Sequence, residues 1–368
     1  MKKKNLCKTL LKTMCIVLGI LILALLAYIV YLYASYYRIE DNQELVVEAP
    51  VDDTTTGAAA VLATDTEYSA VTYNIGFGAY LPDYSFFMDG GTSSWAESPE
   101  TVQYAINGAG ELVKSLDPDF ALIQEIDLDA TRSYHTDEYE MLRNILPEYT
   151  TVFAQNYDSA FLFYPFTQPH GSSRAGLGLF SKYPVSSALR RSFPISTSFS
   201  KFFDLDRCYS VSRIPVDNGK ELVIFNLHMS AYGNSDEIRK GQIEMLCNDM
   251  AKEYEAGNYV LCGGDFNHDL KASEEDTESC ESWAFPFPRT ELPEHFAFCL
   301  DLLSSEEQAA LWNSARNADM EYVPGVTYTV TLDGFIISDN IECLSYENVN
   351  TGYSYSDHDP VKVGFALK

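Results

Sequence analysis

The chain has 368 residues and a hydrophobic content of 46%, which is enough for a sizeable core in one large or two ordinary domains. This composition excludes a wholly disordered chain. The 25 basic residues are outnumbered by 53 acidic ones, so the formal net charge is −28 at pH 7. Because long nucleic acids need basic contacts to displace their counterions, we do not expect a general DNA-binding surface.

The first predicted element is a membrane-spanning helix over residues 14–35. This run carries no charged residue and is long enough to cross a bilayer. Five lysines precede it, and this positive-inside bias predicts a cytoplasmic tail over residues 1–13. The alternative is a cleaved signal peptide, but the run exceeds a usual signal-peptide core. We therefore expect a single-pass cell-membrane protein whose remaining chain is extracytoplasmic.

Residues 36–66 are predicted to form an extracellular stalk, because their composition is first polar and acidic and then rich in small residues. Without the five N-terminal lysines, 20 basic residues face 53 acidic ones, a formal excess of 33 negative charges outside the membrane. Such a surface repels polyanions, although a local basic or metal-filled cleft could still accept one phosphate.

Strand-like and helix-like segments alternate over the rest of the chain. Helical spacing of apolar residues predicts helices over Pro99–Leu116, 137–146 and 235–254. Further strands are predicted over 151–156, 176–181 and 208–216. The Asp-Asn-Gly sequence at residues 217–219 predicts a hairpin turn. Strands that alternate with helices and also form a hairpin indicate mixed sheets, not a purely parallel barrel.

Polar side chains lie at or near the ends of five strand-like segments. In chain order they are Asn74, Glu125, His228, Asp265 with Asn267, and Asp333. A polar turn near the C-terminus adds Asp357 and His358, side by side before an apolar strand. Asp357 is a hard oxygen ligand suited to Mg²⁺, and His358 can exchange a proton near neutral pH.

In this order and strand context, the motifs make the chain resemble the endonuclease/exonuclease/phosphatase superfamily from about Tyr68 to the C-terminus. The resemblance implies an α/β fold, a four-layer α/β sandwich of two mixed β-sheets flanked by helices, over residues 67–368. It also implies a hydrolase that acts on phosphoester bonds with Mg²⁺, or with Mn²⁺ as a substitute. The transmembrane helix would precede this catalytic domain.

The resemblance implies that Glu125 is the main metal ligand and that Asn74 and Asp357 complete or support the metal site, Asn74 also contacting substrate. A Glu at the end of a buried strand suits Mg²⁺, which is usually held by one or two carboxylates and waters. One departure concerns this side of the site. Residue 76 is a glycine, where several nucleases of the family carry a carboxylate.

The same resemblance implies catalytic roles for the other residues. Asp265 and Asn267, two apart in an extended segment, would share a face and together hold the attacking water and a phosphate oxygen. His358 would polarise the phosphate or exchange a proton, with its ring oriented by Asp333. His228 would donate a hydrogen bond to the transition state. The division of labour between Asp265 and His358 stays open.

Two segments outside this scaffold are expected to shape substrate access. Residues 161–174 are interrupted by proline and glycine and are predicted to form a loop beside the site. In this loop His170 and Arg174 are candidate phosphate contacts, and an ordinary exposed loop is the alternative. The second segment, 271–298, contains aromatic residues that pack onto the domain, cover the cleft or touch lipid headgroups.

Six of the eight cysteines follow the membrane segment, with no recognisable metal-binding spacing. Cys208, Cys262 and Cys343 lie in apolar strands and are expected to be buried thiols. Cys280 in the second segment and Cys299 directly after it could form a disulfide bond in an oxidising compartment.

The sequence therefore predicts a membrane-anchored, extracytoplasmic, metal-dependent phosphoesterase that cleaves a phosphodiester or phosphomonoester by attack of an activated water. A lipid or small-molecule substrate is favoured over long nucleic acid, and no obligate protein partner is evident. One alternative is an extracellular nuclease. The other is a catalytically inactive protein that binds a phosphorylated ligand or serves as a scaffold.

Overall fold

The computed structural model describes residues 2–52, 61–202, 204–230, 236–273 and 284–368. The chain divides into two units, one of residues up to Arg38 and one from Ile39 to the C-terminus. The first unit contains helix α1, Lys2–Ser35. Within α1, Cys7–Ser35 has a mean hydropathy of 2.9 and is long and apolar enough to cross a membrane.

The second unit contains four helices and sixteen strands among the described residues. The helices are α2 (Pro99–Leu116), α3 (Glu138–Ile145), α4 (Asp236–Glu255) and α5 (Ser305–Ala310). The strands of the first half are β1 (Gln43–Glu44), β2 (Val47–Glu48), β3 (Glu67–Asn74), β4 (Phe120–Ala130), β5 (Thr150–Leu162), β6 (Gly171–Ser181), β7 (Ser187–Ser192) and β8 (Cys208–Pro215). Those of the second half are β9 (Glu221–His228), β10 (Tyr259–Asp265), β11 (Phe296–Phe298), β12 (Ala315–Arg316), β13 (Thr329–Val330), β14 (Asp333–Ser338), β15 (Ile341–Asn348) and β16 (Val361–Leu367).

Two mixed sheets of seven strands form the centre of this unit. One has the order β1-β7-β8-β9-β10-β14-β11, and the other has the order β15-β16-β3-β4-β6-β5-β2. We call them sheet A and sheet B. In sheet A the pair β9 and β10 is parallel, and in sheet B the pair β3 and β4 is parallel, whereas the other neighbours are antiparallel. The predicted mixed sheets are confirmed.

The sheets and helices form the four predicted layers. The largest apolar cluster joins side chains of both sheets, such as Leu122 and Phe225, and includes Leu246 of α4. A second cluster packs Ile106 of α2 and Leu142 of α3 against strands of sheet B. Burial of these apolar faces is the main favourable contribution to folding.

Local sequence explains why the predicted elements form where they do. Helix α2 begins after Ser98, whose hydroxyl accepts a hydrogen bond from the Thr101 N–H at 3.1 Å, and Pro99 occupies its first turn. It ends at Asp117 in a left-handed conformation. The Asp-Asn-Gly turn joins β8 and β9 as an antiparallel hairpin, with Gly219 at a φ of 80°. Both predictions are confirmed.

The start of the second unit differs from the stalk expected over residues 36–66. Strand β1 pairs with β7 at the edge of sheet A, and β2 pairs with β5 at the edge of sheet B. Leu62 is fully buried. These residues satisfy their backbone hydrogen bonds by extending exposed sheet edges, so the folded unit begins before residue 67. Strands of two residues carry no periodic pattern by which a sequence could reveal them.

The two segments assigned to substrate access also differ from expectation. Strands β5 and β6 extend the predicted strands to Leu162 and from Gly171, so the loop between them is shorter than residues 161–174. In the second segment, Phe287 and Phe298 are buried against each other with ring centroids 4.9 Å apart, whereas Phe285 is exposed. The packing alternative therefore holds for Phe287 and Phe298.

The cysteine pairing predicted between Cys280 and Cys299 falls outside the described residues, because residues 274–283 are not among them. Cys208 and Cys262 are buried as expected, whereas Cys343 is half-buried. The thiol of Cys299 contacts that of Cys343, which lies on the adjacent strand β15.

Candidate active site

The polar strand ends of both sheets meet at one place. Asn74 ends β3 and Glu125 lies in β4 beside it, while His228 and Asp265 end the parallel strands β9 and β10. Asp333 begins β14, where it is the register partner of Asp265. Carboxyl ends of neighbouring parallel strands are the usual location of ligand sites in open α/β sheets.

A buried amide pair ties the two sheets together beneath this edge. Gln124 of β4 donates from Nε2 to Oδ1 of Asn226 in β9 at 2.8 Å, and Asn226 donates from Nδ2 to the Gly178 carbonyl at 3.0 Å. Both side chains are fully buried. Buried amides of this kind are costly unless they are hydrogen-bonded. The pair therefore fixes how the two sheets pack against each other. Glu125 directly follows Gln124, and His228 lies two residues after Asn226.

Glu125 has an unusual backbone that turns its side chain toward the site. Its φ is 56°, in the left-handed region that non-glycine residues rarely adopt. The pairing of β4 with β6 shifts register between Ile123 and Ile126, so Glu125 lies on a β-bulge. Bulges near active sites commonly redirect a side chain. The strained backbone is therefore consistent with a functional carboxylate at this position.

Asn74 links the carboxylates of the two sheets. Its Nδ2 donates to Glu125 Oε1 at 3.1 Å and to Asp265 Oδ2 at 3.0 Å, and its Oδ1 accepts from the Gly76 N–H at 3.0 Å. In this arrangement Asn74 positions two carboxylates, and its oxygen is already engaged by the backbone.

The glycine at residue 76 is explained by its positive φ and by the approach of Tyr80 and Asp357. Gly76 has a φ of 55°, and a Cβ there would lie 2.6 Å from Tyr80 Cδ2 and 3.2 Å from Asp357 Oδ1. A carboxylate side chain at residue 76 would therefore have no room. The Asp357 carboxylate occupies this region, with one oxygen accepting from the Ser356 hydroxyl at 3.2 Å.

His358 and Asp333 form a buried hydrogen-bonded pair between the sheets. The ring Nδ1 of His358 lies 2.7 Å from Asp333 Oδ2, which also accepts from the Ser314 hydroxyl at 2.7 Å. Burial disfavours a charged ring, but the Asp333 carboxylate, together with Asp265 and Asp357, raises the pKa of His358 well above its usual range. The geometry therefore holds His358 as an imidazolium with Nε2 facing the cavity side of Asp265.

Asp265 lies between the two histidines of the site. Its Oδ2 is 3.5 Å from His228 Nε2 and 3.8 Å from His358 Nε2. Burial, with repulsion from Asp333, raises the pKa of Asp265 to about 7. Burial also lowers the pKa of His228 well below its usual range, and Arg207 adds to this effect. A carboxyl group that titrates near neutral pH beside one charged and one neutral imidazole can exchange protons.

Asn267 reaches the site from a turn and not from the extended segment that the sequence predicts. Strand β10 ends at Asp265, and Asn267 has a φ of 50°. Its backbone N–H donates to Asp265 Oδ1 at 2.9 Å, and its Nδ2 donates to the Met229 carbonyl at 2.9 Å. Asn267 still lines the cavity together with Asp265. It therefore both positions Asp265 and presents its own side chain.

One cavity of about 440 Å³ is bordered by Glu125, His228, Asp265, Asn267, Asp357 and His358. Three arginines outside the predicted set, Arg132, Arg207 and Arg316, also line it. Arg207 is buried, and within the described part of the chain its Nε and Nη1 have no hydrogen-bond partner. Arg316 donates to the Leu81 carbonyl at 2.9 Å, while its Nε lacks a partner there. The only sequence signal for Arg207 is its position, as a charged residue directly before the buried strand β8. Arg316 carries no such sequence signal.

The two phosphate contacts predicted in the loop have different positions. His170 lines the cavity, but burial, with Arg132 nearby, lowers its pKa to about 3, so its ring is neutral. Arg174 lies in β6, pairs with Asp129 at 3.2 Å and is exposed. It does not line the cavity. The structure therefore does not bring Arg174 to the site, because β6 begins earlier than its glycines suggest.

Three carboxylates on one wall of the cavity are candidate ligands for a divalent cation. Glu125, Asp357 and Asp89 all line the cavity. Burial, with repulsion from Asp357 and Glu125, raises the pKa of Asp89 to about 7. The nearby Arg132 is already paired with Asp127 through two hydrogen bonds, at 3.1 and 2.8 Å. Carboxylate oxygens are the ligands that Mg²⁺ prefers.

Solved structures show the same fold. One is an endonuclease/exonuclease/phosphatase from Beutenbergia cavernae, 15% identical, with a TM-score of 0.54 over 82% of this chain and 72% of that one. A second, from Bacteroides vulgatus, is 17% identical, with a TM-score of 0.54 over 83% of this chain and 100% of that one. TDP2 from D. rerio, complexed with a single-strand DNA product, is 14% identical, with a TM-score of 0.55 over 82% of this chain and 100% of that one.

A family model agrees with these structures. No curated protein sequence matches the chain significantly. The model described as the endonuclease/exonuclease/phosphatase family matches residues 71–302. Members of this family are hydrolases that act on phosphoester bonds with divalent metal ions. The matched segment includes Asn74, Glu125, His228 and Asp265, and it covers more than half of the chain. The chain belongs to the endonuclease/exonuclease/phosphatase family.

Proposed function

We propose that this protein is a membrane-anchored, Mg²⁺-dependent phosphoesterase whose catalytic unit lies outside the cytoplasm. The observation that carries the proposal is the contact geometry around Asp265. Its carboxylate lies 3.5 Å from a neutral His228 and 3.8 Å from a charged His358, and it accepts a hydrogen bond from Asn74, which also binds Glu125. A protein that only bound a ligand would not need this set of proton-exchanging groups.

Glu125 and Asp357 are the residues that would hold the metal ion, with Asn74 in support. When bound, the ion would neutralise charge that develops on the phosphoryl oxygens. Asn74 keeps Glu125 in place through the 3.1 Å hydrogen bond to its Oε1. The fit of Asp357 against Gly76 keeps this second carboxylate close to the strand ends.

The proton transfers are assigned to the side chains that contact Asp265. Asp265 accepts a proton from the attacking water, because its pKa of about 7 suits a base near neutral pH. Asn267 holds the water and a phosphate oxygen. His358, kept protonated by Asp333, donates toward the leaving group or a phosphoryl oxygen. His228, which is neutral, donates its remaining N–H to a phosphoryl oxygen as charge develops there.

Arg207 and Arg316 would bind the phosphate group itself. Arg207 is only 6% exposed, yet within the described part of the chain its Nε and Nη1 lack partners. Buried guanidinium N–H groups without partners are costly, and phosphate oxygens would satisfy them. His170, which is neutral, would contact the substrate as a hydrogen-bonding group and not as a cation.

The leaving group stays a prediction, with a lipid or small-molecule substrate favoured over long nucleic acid. The excess of acidic residues supports this choice, because a polyanion would be repelled outside the cavity. One structural neighbour, TDP2 from D. rerio, was solved with a single-strand DNA product, but at 14% identity it informs the fold alone. DNA therefore belongs in any test as a competing substrate.

The proposed topology has its own test. The lysines in the N-terminal part of α1 favour a cytoplasmic N-terminus, which would put residues from Ile39 onward outside. Protease added to intact cells should then remove the catalytic unit and leave an N-terminal fragment. Protection until the membrane is opened would show the opposite orientation.

The activity is tested with the purified full chain in detergent, with Mg²⁺ or Mn²⁺ and a substrate panel. The panel spans sphingomyelin, phosphoinositides, nucleotides, simple nitrophenyl phosphodiesters and monoesters, and single- and double-stranded DNA. Glu125→Gln should abolish metal-dependent turnover without loss of folding. Glu111→Gln, an exposed acid on α2, is the matched control and should behave as wild type. Full turnover by a folded Glu125→Gln protein would contradict the metal site.

A further inference from the structure

The loop between β5 and β6 presents an uncharged, aromatic surface. From Ser159 to Ser173 the sequence has no Asp, Glu, Lys or Arg, although 21% of the chain is charged. Three rings near its tip are exposed to solvent: Phe163 by 50%, Tyr164 by 62% and Phe166 by 85%. Adjacent exposed aromatic side chains on a soluble surface usually mark a contact with another molecule or with lipid.

The base of this loop is held in place by hydrogen bonds. Ser94 donates from Oγ to the Gln168 carbonyl at 2.5 Å, and Trp95 donates from Nε1 to the Pro169 carbonyl at 2.6 Å. Within the loop, the His170 N–H donates to the Tyr164 carbonyl at 3.2 Å. The exposed rings are therefore presented by a fixed turn.

The aromatic surface continues into the wall of the active-site cavity. Ring centroids lie 5.9 Å apart between Phe166 and Tyr164, 5.9 Å apart between Tyr164 and Phe87, and 6.1 Å apart between Phe87 and His170. His170 lines the cavity, as does Met88, which is 54% exposed. An apolar path thus connects the loop tip with the place where the phosphoester would bind.

The chain also enters the folded unit next to this cavity. Arg190, which is fully buried, donates from Nη1 to the Glu40 carbonyl at 3.1 Å and from Nη2 to the Asp206 carbonyl at 2.9 Å. Asp206 directly precedes Arg207 of the cavity. Residues 36–38 alone separate the end of α1 from the folded unit, and the chain from Ser35 to Ile39 spans at most about 14 Å. The folded unit that holds the cavity therefore follows, after three residues, a helix that is long and apolar enough to cross a membrane.

We propose that the loop tip around Phe163, Tyr164 and Phe166 inserts into the lipid–water interface and that the substrate is a phosphoester carried by a membrane lipid. This inference rests on the proposed function of the same site. Aromatic side chains are favoured at membrane interfaces, where ring and polar edge are both accommodated. Because the loop has no basic residue, insertion depends on apolar contact and not on anionic lipids, so high salt should not weaken it.

The docking is tested by the depth of the loop, with a readout that needs no activity. The full chain is reconstituted in phosphatidylcholine vesicles as two variants, Phe166→Trp and Leu344→Trp. Leu344 is 44% exposed on β15, at the opposite edge of sheet B. After subtraction of the wild-type signal, brominated lipids should quench the Phe166→Trp fluorescence at low and high salt and leave the Leu344→Trp fluorescence unchanged. Equal quenching of the two variants would overturn the docking. The docking would also be overturned if the Phe166→Trp fluorescence were not quenched and two copies of the chain associated through this loop.

The substrate class is tested by removing the exposed rings. The double variant Tyr164→Ser, Phe166→Ser should lower kcat/KM at least about tenfold on a phospholipid in the vesicle and leave hydrolysis of a soluble nitrophenyl phosphodiester unchanged. Leu344→Ser should change neither. Equal rates on the lipid, or equal losses on both substrates, would overturn the lipid assignment. If the wild type hydrolyses none of the substrates, the proposed function and the lipid assignment are both refuted. The fluorescence experiment would still decide whether the loop docks on the membrane.

Discussion

His228 and His358 line the same cavity and are both almost fully buried, yet their surroundings give them opposite charge states. Burial lowers the pKa of His228 well below its usual range, and its Nδ1 has no hydrogen-bond partner within the described residues. Burial acts on His358 in the same direction, but the Asp333 carboxylate at 2.7 Å raises its pKa well above that range. The partner of the ring, and not its depth, sets the charge.

This difference assigns the two rings to different work. Titratable groups whose environments push their pKa values apart commonly divide acid and base roles. A charged His358 has a proton to give, whereas a neutral His228 can donate a hydrogen bond but does not add charge. Asp265 contacts both rings, at 3.5 and 3.8 Å, and therefore couples the two environments.

The largest effect is expected when Asp265, the group common to both rings, loses its charge. Asp265→Asn should lower kcat/KM by roughly 10³-fold, because the amide cannot accept a proton from water and general acid–base contributions reach this size. The measurement is kcat/KM on the substrate that the panel identifies. Asp129→Asn, which removes the exposed partner of Arg174, is the matched control and should stay near wild type. A loss of less than tenfold for a folded Asp265→Asn protein would remove Asp265 from the proton transfers.

The next effect tests whether Asp333 acts through His358. Asp333→Asn and His358→Ala should each lower kcat/KM by about 10²-fold or more, because an orienting carboxylate matters only through the ring that it holds. The double variant should be little worse than either single variant, since residues that work as a unit give non-additive losses. Thermal melts check the folding of all three proteins. If the two losses multiply, the residues act independently and the pairing is not functional.

The contrast between these histidines also shows what the sequence can reveal about the site. Asn74, Glu125, His228 and Asp265 were predictable as candidates, because a polar residue that ends an apolar strand is visible in the pattern of the chain itself. The strands that end at Asn74, His228 and Asp265 are confirmed, whereas β4 continues past Glu125 to Ala130. The charge difference was only partly predictable, because the resemblance named Asp333 as the partner of His358 but nothing in the sequence indicated that His228 lacks one.

Other features could not be predicted because they depend on contacts between distant segments. Arg207 and Arg316 reach the cavity from segments without periodic pattern. The hydrogen bond between Gln124 and Asn226 depends on how the two sheets pack against each other, which no local sequence signal encodes. Arg174 was assigned to a loop from its neighbouring glycines, whereas pairing along β5 and β4 extends the strand through it.

His170 is a third buried imidazole, and no carboxylate contributes to its pKa shift among the described residues. It therefore tests whether burial without a carboxylate partner lowers the pKa of a ring, as at His228. Burial, with Arg132 nearby, lowers its pKa to about 3, below the value of 6.5 expected in the unfolded chain. Between these values the unfolded state binds more protons, so the free energy of unfolding falls as the pH drops from 6.5 toward 3. From pH 6.5 to 5, this group should remove about 1.6 kcal/mol of stability, because the slope reaches about 1.4 kcal/mol per pH unit only once the unfolded ring is fully protonated.

The measurement is urea unfolding of the full chain in detergent at several pH values, for wild type and His170→Gln. The variant should show a shallower loss of stability toward acid than wild type, whatever its stability at neutral pH. Parallel curves would mean that His170 is protonated in the folded state and that burial alone does not lower its pKa as the comparison requires.

The smallest effect is expected at His228, where a substitution can retain the N–H donor. His228→Gln should lower kcat/KM only about tenfold, because an amide still donates a hydrogen bond to the phosphoryl oxygen, though from a different position. Its pH profile should keep both limbs unchanged, because a ring that is neutral throughout the working range contributes no titration.

The pH profile of Asp333→Asn should behave differently. Removing the carboxylate that raises the pKa of His358 lowers that pKa, so the alkaline limb of kcat/KM should move to lower pH. A shifted limb in His228→Gln together with an unshifted one in Asp333→Asn would reverse the assignment of the two rings.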